Sequence, residues 1–315
     1  MQVAQVSARI MEEVAKAIVG QHKAVEQAIV AILADGHCLL EGVPGLGKTL
    51  LVKTLSRTVD LQFSRIQFTP DLMPSDVLGT NVFNQQTSEF TLKKGPIFTA
   101  VLLADEINRT PPKTQSALLE AMEERQVTID GQRLPLPYPF LCFATENPIE
   151  HEGTYPLPEA QQDRFLLKII LDYPGDEAEI QVLRNYDQGF RATNLERANI
   201  QPVINTEMLK SLREEVNAVR VEEKIFNYIY ELVKATRTSH DVLVGASPRA
   251  GLALVSTSKA LAAMRGRDFV IPDDVKELSL PVLRHRILIR PEAEIEGYTV
   301  DQVLGQLIDA QTVPR

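Results

Sequence analysis

Two stretches of this sequence carry residue types at the spacing that phosphate chemistry requires. Gly42-Val43-Pro44-Gly45-Leu46-Gly47-Lys48-Thr49 fits the pattern G-x-x-x-x-G-K-[ST], set between a strand signal and a helix signal. The glycines let the backbone curl so that successive N–H groups point at phosphate oxygens, and the following helix adds its positive end. Lys48 supplies charge to the β and γ phosphates, and the Thr49 hydroxyl supplies a ligand to Mg²⁺. The second stretch is the apolar run Val101-Leu102-Leu103-Ala104, which ends in Asp105-Glu106. Carboxylates at the end of a strand stand where the ligand crevice of a parallel sheet lies. Asp105 is expected to hold Mg²⁺ through its water shell, and Glu106 to act as general base toward the attacking water.

Three further polar residues follow apolar runs or helix starts. Asn147 comes just after Phe140–Ala144 and before Pro148, where a neutral amide can position water without competing for its proton. In Glu159-Ala160-Gln161-Gln162-Asp163-Arg164-Phe165, Arg164 either pairs with a nearby acid or serves as an arginine finger to another subunit's γ-phosphate. Ser247-Pro248-Arg249 reads as a helix start with serine as cap and proline at the first helical position. Arg249 in that first turn is either a surface arginine or one that reaches an anion.

These groups need a scaffold, and hydrophobic periodicity supplies its outline. Short apolar strands are predicted at Cys38–Leu40, Arg65–Phe68, Val101–Ala104, Phe140–Ala144 and Leu166–Leu171, with helices Thr49–Val59 and Lys113–Glu124 between them. Alternation of this kind predicts an α/β fold with a parallel sheet between helices. Two helical stretches precede it, one from Val6 to Ala17 and one through Val25, Ile29 and Leu33. Two insertions interrupt the rhythm, near residues 81–95 and 126–137. The second carries Asp130-Gly131 between alternating residues, a hairpin signal. A short helix at Glu177–Tyr186 and a polar connector lead to helices at Glu207–Val219, Glu222–Arg237, Pro248–Met264, Asp273–Leu283 and Thr299–Ala310. The division expected is a nucleotide-binding domain over residues 1–190 and a smaller all-helical lid over 191–315.

Bulk properties narrow the function classes. A chain of 315 residues with 44% hydrophobic and 24% charged residues should fold throughout, and its length favours two cores. The net charge of −9 argues against general nucleic-acid binding. No apolar run approaches the ~18 residues of a membrane span, and the start at Met1–Arg9 has no basic segment followed by an apolar one, so a cytoplasmic location is expected. Cys38 and Cys142 sit in apolar runs and read as buried hydrophobes. A GTPase base-reading N-K-x-D motif is missing from the sequence, which favours ATP over GTP.

The ordered set resembles the AAA+ superfamily over nearly the whole chain, and its wording is similar to the MoxR-type family. In those terms Gly42–Thr49 is Walker A, Asp105-Glu106 lies in Walker B, Asn147 matches sensor 1, Arg164 the arginine finger and Arg249 sensor 2. Ile18-Val19-Gly20-Gln21 is similar to the segment that lines the adenine pocket, which assigns Val19 and Gly20 to the base. The resemblance implies ATP and Mg²⁺ as cofactors, a homo-oligomeric ring, commonly of six, and a chaperone-like remodelling role beside proteins with a von Willebrand factor A domain. It leaves open whether Arg249 serves its own subunit or a neighbour, and whether Arg109 contacts another subunit or caps a local acid. A magnesium-chelatase-like motor subunit and a nucleotide-gated scaffold with little turnover are the competing readings.

Overall fold

A computed structural model describes residues 2–86, 88–147, 153–192 and 194–314. It opens with α1 (Gln2–Ala15) and α2 (His22–Leu33), followed by β1 (Cys38–Glu41), α3 (Lys48–Thr58) and β2 (Phe63–Gln67). After α4 (Pro74–Leu78) come a hairpin of β3 (Gly79–Asn84) and β4 (Glu89–Lys94), then β5 (Val101–Asp105) and α5 (Pro112–Glu124). A second hairpin, β6 (Gln126–Ile129) and β7 (Gln132–Pro135), precedes β8 (Leu141–Glu146), α6 (Glu159–Gln162), β9 (Leu167–Ile170) and α7 (Asp176–Asp187). The remainder holds α8 (Thr206–Asn217), α9 (Glu223–Thr238), β10 (Val242–Val244), α10 (Pro248–Met264), α11 (Pro272–Leu283), β11 (Leu288–Ile289), α12 (Pro291–Ile295) and α13 (Val300–Ala310).

Five strands form a parallel sheet in the order β2-β5-β8-β1-β9. Burial on both sides explains why β1, β5 and β8 read as continuous apolar runs rather than as alternation. The period of two still sorts their side chains. Cys38, Leu40, Val101, Leu103, Leu141 and Phe143 join a core with the helices on one face. Leu39, Leu102, Ala104, Cys142 and Ala144 face the other way, against Leu118 and Met122 of α5. Both cysteines are fully buried, and burial pushes their thiols far above the usual range.

The first of these cores does not stop at the sheet. It runs on through Leu209, Leu212, Ile229, Leu254 and Leu278 of the C-terminal helices. The helices α1 and α2 lie between, packing against α8 and α10. Beyond this apolar joint, Arg286 clasps the approach to β9. Its Nε donates to Asp163 Oδ1 at 2.7 Å and its Nη2 to the Phe165 carbonyl at 2.6 Å. Asp163 Oδ2 in turn accepts from Ser247, the N-cap of α10, at 2.9 Å. The lid is thus tied to the segment that carries Arg164.

Both insertions are hairpins. In β6–β7 the turn residues Asp130 and Gly131 have φ of 47° and 81°, as a primed turn requires. In β3–β4 the paired Phe83 and Phe90 rings lie 5.2 Å apart and exposed. Asn81 Nδ2 donates to Asp130 Oδ2 at 2.7 Å, joining the two hairpins. The lid also carries the antiparallel β10–β11 ladder. No periodicity in the sequence marks it, because two or three residues are too few to show a period of two. No helix among the described residues is long and apolar enough to cross a membrane.

Candidate active site

The candidate phosphate loop, Gly42–Thr49, leaves the C-terminal end of β1. At Gly42 a Cβ would stand 2.7 Å from the Leu171 carbonyl oxygen, so only glycine fits without movement. Gly45 and Gly47 have φ of 91° and 84°, which turns the backbone in a way that other residues resist. A Cβ at either would meet nothing within 4 Å, so it is the positive φ and not crowding that calls for glycine there. The helix α3 starts at Lys48 and adds its N-terminal field. Lys48 Nζ donates to the carbonyls of Gly42 at 2.5 Å and Glu146 at 3.2 Å. Burial lowers the Lys48 pKa, while Asp105, Glu106 and Glu41 oppose the shift.

The end of β5 lies two strands away from β1, with the end of β8 between them. Asp105 is buried, and its two oxygens have different partners. Oδ1 accepts from the Thr145 hydroxyl at 2.6 Å. Oδ2 accepts from Thr49 Oγ1 at 3.5 Å and from Arg65 Nε and Nη2 at 3.0 and 2.7 Å. Thr145 also accepts the Glu106 amide at 2.8 Å, so one hydroxyl on β8 fixes both acids. Glu106 has a left-handed backbone, φ 58° and ψ 51°, a conformation uncommon outside glycine that clusters at functional sites. Its Oε2 accepts from Gln67 at 2.7 Å and Arg109 at 3.0 Å. Glu106 is thus a local acid that Arg109 contacts. Asn147 is buried one residue beyond β8, beside the Glu146 carbonyl that holds Lys48. Pro148 lies outside the described residues. The charge and oxygen donors of this cluster fit a magnesium-bound polyphosphate: backbone amides, one lysine, one hydroxyl and one carboxylate oxygen converge.

A cleft of about 670 Å³ continues from the loop, lined by Ile18, Val19, Leu46, Leu50, Tyr173 and Leu183. Its apolar walls suit a flat base. Gly20 has φ 76°, and a Cβ there would lie 2.7 Å from Pro174 Cβ, so the wall at Val19 depends on that glycine. Gln21 Nε2 clips the same turn to the Asp172 carbonyl at 2.7 Å.

Arg164 and Arg249 are elsewhere. Glu123, near the end of α5, takes both: Arg164 Nη2 at 3.1 Å and Arg249 Nη2 at 2.5 Å. The hydrogen bond from Arg249 is the main reason the Glu123 carboxyl is held below its usual range. The surrounding hollow includes Gly36, His37 and Leu166, which precede β1 and β9. In a parallel sheet those residues mark the N-terminal ends, opposite the phosphate loop. The structure thus brings Gly42–Thr49, Asp105, Glu106 and Asn147 together and sets Arg164 and Arg249 apart from them. Sequence reasoning missed Arg65, Gln67, Thr145 and Glu123. Each is one polar residue among others in its strand or helix, and no local spacing distinguishes it.

Comparison with known proteins agrees with this architecture. Residues 37–167 match the family "ATPase family associated with various cellular activities (AAA)", and residues 234–307 match the AAA lid domain. The chain is 44% identical to Chaperone MoxR1 of Mycobacterium tuberculosis, over 98% of this chain and 82% of that protein. It is 30% identical to Protein MoxR of Methylorubrum extorquens, over 98% of this chain and 94% of that one. It is 45% identical to the uncharacterized protein YeaC of Bacillus subtilis, over 97% and 94% of the two chains. A crystal structure of a candidate ATPase from Cytophaga hutchinsonii superimposes with a TM-score of 0.90 at 43% identity, covering 100% of this chain and 96% of the other.

Proposed function

This chain belongs to the MoxR-type family of AAA+ ATPases, and on that premise we propose that it binds ATP with Mg²⁺ at the C-terminal end of its sheet and hydrolyses it within a ring of like subunits, commonly six. The observation that carries the reading is the separation of the two charged clusters. Lys48, Asp105 and Glu106 gather at one end of the strands, and Arg164 and Arg249 share Glu123 at the other. A four-residue strand such as β1 spans about 13 Å. Neither arginine then reaches its own phosphate loop in this arrangement. In a head-to-tail ring the arginine end of one subunit faces the nucleotide end of the next, so both act on the neighbour's nucleotide.

Within one site the loop amides and Lys48 hold the β and γ phosphates, and the cleft beside Val19 and Gly20 takes the adenine. Thr49 and Asp105 would hold the metal. Mg²⁺, when bound, neutralises charge on the phosphate oxygens. Glu106 takes the proton of the attacking water, for which it must leave Gln67 or Arg109, and Asn147 orients that water. Arg164 and Arg249 of the neighbour stabilise the charge that develops on the γ-phosphoryl group.

The Arg286–Asp163–Ser247 clasp ties the lid to the segment bearing Arg164, so motion of one subunit's lid is felt at the next subunit's site. The joined hairpins β3–β4 and β6–β7 expose side chains that a protein partner can meet, which supports chaperone-like remodelling; a von Willebrand factor A domain is the partner class that the family resemblance implies. Two measurements test the reading. Calorimetry should show that Lys48→Ala nearly abolishes ATP binding. Sedimentation of Glu106→Gln should show assembly driven by Mg-ATP, because a ligand held by two subunits favours the ring. A monomer at tens of micromolar with saturating nucleotide would remove the composite site.

A further inference from the structure

We propose that Arg65 and Mg²⁺ compete for a single oxygen, Oδ2 of Asp105, so that Arg65 is the residue the metal displaces as the site becomes competent. The proposal rests on the reading of Asp105 as the metal-holding carboxylate.

The two oxygens of Asp105 are not equivalent. Oδ1 is committed to the Thr145 hydroxyl, which also anchors the Glu106 amide, and it cannot turn away without disturbing the neighbouring acid. Oδ2 is the oxygen on the side of Thr49, 3.5 Å away, and those two oxygens form the hard-ligand pair of the site. That same Oδ2 receives both Nε and Nη2 of Arg65. A guanidinium donating twice to one oxygen uses the lone pairs that a metal or its bound water would need. Two cations on one oxygen also repel at close range.

Strand register explains how Arg65 arrives there. In the β2–β5 pairing Gln67 stands beside Asp105 and Arg65 beside Leu103, so Arg65 is two residues upstream on the face that Gln67 shares. Its side chain runs along the strand to the acid. Gln67 steadies it, accepting from Nη2 at 2.6 Å through Oε1.

Exposure separates a displaceable partner from a permanent brace. The Arg65 side chain is 47% exposed, whereas that of Asp105 is 11% exposed. Released from Oδ2, the guanidinium turns into water and keeps its hydration, so the exchange avoids the cost of stranding a buried charge. The carboxylate stays where Thr145 holds it. The fixed partner is thus the acid, and the mobile one is the arginine.

The test measures metal binding directly, with Mn²⁺ as the probe, by the electron paramagnetic resonance signal of free Mn²⁺ in the presence of saturating ADP. Asp105→Asn should weaken Mn²⁺ binding; if it does not, the metal-holding reading of Asp105 fails and the proposal falls with it. Given that weakening, Arg65→Ala should bind Mn²⁺ about threefold to tenfold more tightly than the unaltered protein, the worth of a part-exposed ion pair with two donors. The gain should persist at about 0.3 M KCl, where the general field of a surface charge is largely screened. Arg65→Lys keeps the charge but offers one compact donor group in place of the fork, and should show a smaller tightening of the same sign. It decides the matter if Arg65→Ala does not fold. Unchanged or weaker Mn²⁺ affinity in the Arg65 variants, beside a weakened Asp105→Asn, would overturn the competition. So would a gain that vanishes at high salt.

Discussion

The two ends of the parallel sheet carry the same chemical groups with their parts exchanged. At the C-terminal end the acids Asp105 and Glu106 are the candidate working groups, and Arg65 and Arg109 pair with them. At the N-terminal end Arg164 and Arg249 are the candidate working groups, and the acid Glu123 pairs with both. Their settings differ. Thr145 is fully buried and fixes both acids through one hydroxyl, so that end is built before any partner arrives. Glu123 and Arg249 have side chains 37% and 53% exposed, so their pairing can be exchanged for another anion at little cost. An end whose candidate working acids are held in place and an end whose candidate working arginines can exchange their partner suit a site completed by a neighbouring molecule.

The sharpest way to break this comparison is to disable one end at a time. Arg164→Ala should keep ATP binding and lose about 10³–10⁵ in hydrolysis, the range for an arginine finger. Glu106→Gln should bind ATP normally and turn over about 10²–10⁴ times more slowly. Mixed in equal amounts, the two proteins should regain activity above either parent, since about one interface in four then pairs an intact Glu106 with an intact Arg164. Phosphate release, with labelled subunits to confirm exchange, measures it. A mixture as inactive as its parents despite exchange would place both groups in one subunit's service.

Thr145→Val removes the hydroxyl between the acids while nearly keeping the volume. Turnover should fall by about 10- to 100-fold, the usual worth of a residue that orients ligating or reacting groups. The same subunits should still rescue Glu106-intact Arg164→Ala partners, because their arginine end is untouched. Failure to rescue would mean that the hydroxyl supports the whole subunit rather than one end of it.

The arginine end also contains a pH response. His37 is buried beneath it, donating through Nε2 to the Met122 carbonyl and accepting the Cys142 amide at Nδ1. Burial first, with Arg125 and Arg213 adding to it, lowers its pKa to about 3 from an ordinary 6.5. Because the folded value lies below the unfolded one, the unfolded chain takes up more protons as pH falls below 6.5. The stability that His37 contributes is complete above that value and is lost toward pH 3. Between pH 6 and 5 the loss should be about 1 kcal/mol, read from urea unfolding as the difference between the unaltered protein and His37→Gln. Parallel pH curves for the two would show that His37 titrates alike in the folded and the unfolded chain. The smallest effect belongs to Glu123→Gln, which should move the melting temperature by less than about 3 °C, since part-exposed ion pairs contribute at most about 1 kcal/mol. A larger drop would show the arginine end to be as fixed as the other.

Much of the scaffold was legible because its signals are local. The apolar runs at β1, β5 and β8 are strands buried on both faces, and Ser247-Pro248 caps α10 with Ser247 accepting the Arg249 amide at 3.2 Å. Asp130-Gly131 gave away its hairpin because the turn restricts which residues can occupy it. The 81–95 insertion was harder to read, since its strands are mostly exposed and carry no steady alternation.

For the candidate site the division falls between residues that act through their own spacing and residues that act through a neighbour. Gly42 to Thr49 form the candidate phosphate loop by backbone geometry alone, so a string of eight residues determines it, and Asp105-Glu106 are marked by the strand they end. Thr145, Gln67 and Arg65 gain their meaning only because β2, β5 and β8 lie side by side, a pairing made by residues up to 40 positions apart. Arg164 and Arg249 were visible as types, but which end of the sheet they occupy was not. That was decided by α5, which carries Glu123 back to the N-terminal end, and by the lid, which delivers Arg249 to it. Sequence fixes what a residue can do over a few bonds' reach; only the folded chain sets the direction in which a long side chain finds its partner.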